Sequence, residues 1–107
     1  MTITLSLVGE APAEHVRNAL AILSCLQHQA PAFWANVPEL ERAVRRASAA
    51  VSLLESGACP SLALPHIEAA VRALADAPVA WDACPDVGAA CTRLVRAYFD
   101  ALNGSGR

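Results

Sequence analysis

NVPELERAVRRASAAVSLL, residues 36–54, is the most periodic stretch of the chain and governs how the rest is read. Projected at about 100° per residue, Leu40, Ala43, Val44, Ala47, Ala50, Val51 and Leu54 fall in one stripe roughly 120° wide. Glu41, Arg42, Arg45, Ser48 and Ser52 occupy the opposite side. The pattern predicts an amphipathic helix. Asn36 is placed as its N-cap with Glu39 three residues later, as in a capping box; Pro38 falls in the first turn and Gly57 supplies the stop. Such a helix defines a buried face and carries no chemistry of its own.

On its N-terminal side, Pro12 is well placed to open a first helix that Pro31 ends after Ala30. Its apolar stripe is Val16, Ala19, Leu20, Leu23, Leu26 and Ala30, with Ile22 on one flank and Cys25 and His28 on the other side. The connection PAFWA, 31–35, reads as a loop whose aromatics Phe33 and Trp34 cap one end of the core or serve as ligand or partner anchors. Before the first helix, TITLSLV at 2–8 alternates polar and apolar residues like a half-buried strand. The only other extended candidates, SLAL at 61–64 and PVAW at 78–81, are short and adjoin Pro. Residues 1–9 are therefore expected as an extended arm, either lying over the helices or pairing with the same segment of a second copy.

On the C-terminal side, SGACPS breaks the chain, and a third helix is expected from Pro65 to Ala77 with a stripe of Leu64, Ile67, Val71, Leu74 and Ala75. At about 20 Å it is shorter than its neighbours and leaves a gap at one end, which Trp81 is expected to fill. A fourth helix opens at Asp82 or Pro85 and stops at Asn103 and Gly104. Its inward set is Val87, Ala90, Cys91, Leu94, Ala97, Tyr98 and Leu102. The fold expected is all-α: one domain over residues 1–107, a small four-helix up-down bundle with an extended N-terminal arm and a disordered tail at 103–107.

Composition narrows the function classes. The 107 residues include 24 Ala and only five aromatics, so the core must come from close helix contacts. All the basic side chains are Arg, a pattern associated with GC-rich bacterial coding. A formal charge of −2 supplies no general field toward nucleic acid or anionic lipid. The apolar N-terminal run is interrupted by Glu10, Glu14 and Arg17, which argues against a signal peptide or a spanning helix; a cytoplasmic location with reduced cysteines is expected.

The chemistry-bearing residues are scattered. Cys25 and His28 stand at i and i+3, but no further pair completes a metal set, and neither CxxC nor Glu-x-x-His occurs. Cys84 precedes a helix start without a visible base. Arg42, Arg45 and Arg46 form one basic edge and Arg93 and Arg96 another, yet the segment after the central helix is too long for a helix-turn-helix. The expectation is therefore a protein that is not an enzyme, with no cofactor or metal and with neither nucleic acid nor membrane as partner. It reads as a non-catalytic protein-binding module, such as a small bacterial adaptor, chaperone-like factor or inhibitor, and as a homodimer with an additional protein partner. Val95 and Phe99 lie about 100° and 140° from Leu94, outside the inward stripe, and with Ile22 and Leu53 they are the expected partner-binding residues. The alternative is a small-molecule-binding bundle whose pocket is capped by Phe33, Trp34 or Trp81.

Overall fold

The computed structural model describes residues 12–78 and 84–105. The N-terminal arm and Trp81 lie outside the described residues, as does the last part of the expected tail. The described part is all-helical. It consists of α1 (Pro12–Gln29), α2 (Pro31–Ala35), α3 (Pro38–Glu55), a 3-10 turn (Pro60–Leu62), α4 (Leu64–Asp76) and α5 (Pro85–Ser105). None of these helices is long and apolar enough to cross a membrane.

The helix breaks follow from Pro and Gly. Pro31 disfavours helical backbone at the residue before it, and Ala30 accordingly sits at φ −140°, ψ 68°, so α1 ends at Gln29. PAFWA is not a loop: Pro31 starts a helix of five residues, α2, whose Trp34 N–H donates to the Ala30 carbonyl at 2.9 Å. This extra turn overturns the expected cap of the central helix. Asn36 ends α2 in helical backbone, φ −88°, ψ −3°, with its N–H already donated to the Phe33 carbonyl at 3.1 Å, whereas an N-cap needs extended backbone. Val37 takes the N-cap position of α3 without a side-chain cap, and one carboxylate oxygen of Glu39 is buried without a hydrogen-bond partner. Gly57 stops the segment after α3 at φ +85°, a left-handed conformation that suits Gly.

SLAL at 61–64 is helical rather than extended. Pro60 opens the 3-10 turn, and Leu64 starts α4 with Pro65 in its first turn, where no N–H is missed. This turn packs on α3, α4 and α5 just before the N-terminus of the short α4. Ala77 returns to extended backbone before Pro78. At the C-terminus α5 continues to Ser105, past the stop expected at Asn103 and Gly104.

The four longer helices contact one another in a closed cycle: α1 packs on α3 and α5, and α4 packs on α3 and α5. The core contains Leu23, Leu40, Ile67, Leu74 and Leu94 as its largest fully buried side chains, after which many positions are Ala, including Ala43, Ala47 and Ala50 on α3, Ala70 and Ala73 on α4, and Ala77 just after it. α3 and α4 pack on each other and both bury small side chains, which permit axes near the short end of the roughly 8–10 Å range. Two stripe assignments are corrected. Ala75 is exposed, because the buried face of α4 is turned toward Ala70, Ala73 and Ala77. Leu102 is 44% exposed, and Ala101 fills the inward position beside it.

Candidate protein-binding face

Of the large apolar residues exposed among the described residues, Leu62 lies on the 3-10 turn and is 55% exposed, and the others lie on the outer side of α5. Val95, Phe99 and Leu102 are 36%, 55% and 44% exposed and recur at i, i+4 and i+7, so they form one stripe along the helix. Phe99 is steadied by Tyr98, whose ring meets it edge-on at a centroid distance of 5.7 Å. The rotation of α4 noted above leaves Val71 at the edge of its buried face. There it joins Glu68, Val95, Tyr98 and Phe99 in lining an open groove of about 240 Å³ between α4 and α5. Glu68 at its rim is held by Arg72 at 2.9 Å, which neutralises the wall of the groove.

The other expected partner-binding residues lie elsewhere. Ile22 on α1 and Leu53 on α3 are half-buried against the core and do not line this groove. Of the expected anchors, Trp34 is buried, and its indole N–H donates to the Glu41 carboxylate at 3.2 Å; Phe33 is half-buried against the core. Both aromatics therefore cap the core where α2 meets α3.

His15 is the residue that the sequence reading passed over. It is buried between α1 and α5, with Nε2 at 3.2 Å from the Asp100 carboxylate and Nδ1 at 3.4 Å from the Arg93 guanidinium. A neutral ring donating from Nε2 and accepting at Nδ1 satisfies both contacts. Both nitrogens are then engaged, which makes His15 a polar clasp between two helices rather than an available base. The projection places His15 beside Ile22 on the flank of the α1 stripe, and the packing of α5 against that flank buries its ring. Arg46 makes a similar but exposed contact, 3.4 Å from His66 Nδ1, linking α3 to α4. Each basic edge read from the sequence thus has one guanidinium turned to a histidine. Arg17 joins Glu55 across α1 and α3.

The cysteines stand apart. Cys25 and Cys59 are exposed, Cys84 is half-buried and Cys91 is buried. Cys59 lies 3.1 Å from the Ser61 hydroxyl, and hydrogen bonds from the Ser61 side chain and backbone hold its thiol below the usual pKa. Burial pushes the Cys91 thiol up. Among the described residues no group of three or more His, Cys, Asp or Glu side chains could hold a metal ion. Comparison with protein-family models, with curated proteins and with solved structures gives no match for this chain.

Proposed function

We propose that the protein is a non-catalytic protein-binding module that self-associates as a homodimer and presents the outer face of α5 as its binding surface. The observation that carries this reading is the stripe of Val95, Phe99 and Leu102 beside the α4–α5 groove. Apolar side chains that recur along one helix face and adjoin a groove are the pattern of a helix-packing surface, whereas single exposed apolar residues are ordinary. Burying one Phe is worth about 1.5–3 kcal/mol before the costs of association, so two symmetric copies are a substantial share of a micromolar dimer.

The architecture in this reading is a four-helix up-down bundle of α1, α3, α4 and α5. Support comes from the closed cycle of helix contacts and the short connections between successive members. The working context is an adaptor, chaperone-like factor or inhibitor in a bacterial cytoplasm, with a second, heterologous protein as client. A ligand-pocket reading has less support: Trp34 is committed to the core and to Glu41, and the groove is open along α5.

Phe99→Glu tests the reading. The variant is expected to keep the parent's helical circular dichroism and to be monomeric by light scattering at concentrations where the parent associates. A variant that associates as strongly as the parent would remove the α5 face from the account.

A further inference from the structure

The α5 face carries a charge pattern that selects its occupant. Val95, Phe99 and Leu102 fall within about 60° of helix arc, and Arg96 and Asp100 follow on one flank of that arc. Both are exposed. Arg96 makes no ion pair among the described residues, and Asp100 meets His15 through one carboxylate oxygen while its side chain stays 44% exposed.

We propose that the face is covered by a second copy of the chain, its α5 antiparallel to the first about a two-fold axis beside Phe99, with Arg96 of each copy against Asp100 of the other. This rests on the protein-binding reading and gives it a partner and a register. A two-fold axis perpendicular to two antiparallel helices brings matching flanks together, so the Arg96–Asp100 flank of one copy faces the same flank of the other. With the axis between positions 98 and 99, residues whose numbers sum to about 197 stand opposite. Val95 then meets Leu102 of the second copy, the two Phe99 rings meet near the axis, and Arg96 lies within one helical step of the opposing Asp100. The apolar stripe and the charges are satisfied by one arrangement. A parallel pair fails this test, because its axis runs along the helices and sets the charged flank of one copy against the apolar flank of the other. The pairing also places the opposite ends of the two α5 dipoles side by side, which is the favourable orientation.

Cysteine cross-linking reads the register directly. In a background with Cys25, Cys59 and Cys84 replaced by Ser, Val95→Cys and Leu102→Cys are prepared as separate proteins, one carrying a size tag, and oxidised alone and after mixing. The mixture is expected to give a 95-to-102 cross-linked dimer as the main product, with each protein alone giving little or none, because like positions lie about 10 Å apart along the axis. Efficient cross-linking of Val95→Cys to itself would overturn the antiparallel register. Absence of the mixed product in a sample that light scattering shows to be dimeric would equally overturn it, while leaving self-association standing. A parent that is monomeric throughout would defeat both readings and assign the face to the chain's own N-terminal residues or to a heterologous partner.

Discussion

Cys91 and Gly57 show how single positions carry stability here. Cys91 is buried on the inner side of α5, and burial raises its thiol pKa. At pH below the ordinary thiol value both the folded and unfolded chains keep the proton, and the full contribution is present. As pH rises past that value the unfolded chain ionises first, so stability falls until the folded pKa is reached. Denaturant melts of the parent are expected to lose stability with pH above about 8.5 more steeply than Cys91→Ala, which lacks the group. Equal slopes would place the alkaline loss elsewhere. Gly57 tests backbone conformation alone, because a methyl group added there meets nothing within 4 Å. Gly57→Ala should therefore cost about 1–2 kcal/mol through its left-handed φ, with no change in the folded contacts, and thermal denaturation measures it. His15 illustrates what a single residue leaves open in a sequence. Its place on the flank of the α1 stripe was readable, but its partners Asp100 and Arg93 lie on α5, more than seventy positions away, and only the packing of α1 on α5 joins them.

Among the elements, α2 is the clearest consequence of local chemistry overruling a loop reading. Two Pro residues at 31 and 38 bracket a segment too short to wander. A single helical turn satisfies its backbone and turns Trp34 into the core. Trp34→Ala should thus cost about 3–5 kcal/mol in chemical denaturation, the range for removing a buried aromatic, while Phe33→Ala, half-buried, should cost clearly less. If the two cost the same, the indole is not the capping group. The helix faces were legible where large apolar residues define them: Val95 and Phe99 were read as outward and are exposed, and the stripes of α1 and α3 are buried or half-buried as their spacing predicts. They were illegible where Ala supplies the face. Ala fits a buried seam and an exposed surface alike, so Ala70, Ala73 and Ala77 are buried while Ala75 turns outward, and no periodicity in the sequence distinguishes these choices. That rotation is what leaves Val71 to line the groove, and the groove could not be found before it.

At the scale of the whole molecule, the described helices enclose an Ala-rich core and leave one extended apolar stripe, on α5. The sequence pointed to the helix that bears this stripe. Ile22 and Leu53, expected on the flanks of α1 and α3, are half-buried against the core and stand apart from the groove, and Leu102, expected inward, is exposed. Association through α5 is the central proposal, and sedimentation equilibrium of the full chain over a wide concentration range tests it most directly. The chain mass is 11.2 kDa. A reversible rise to twice that mass is expected at micromolar concentrations, abolished by Phe99→Glu without loss of helicity. A mass that stays at the single-chain value into the millimolar range, or a dimer indifferent to Phe99→Glu, would contradict it.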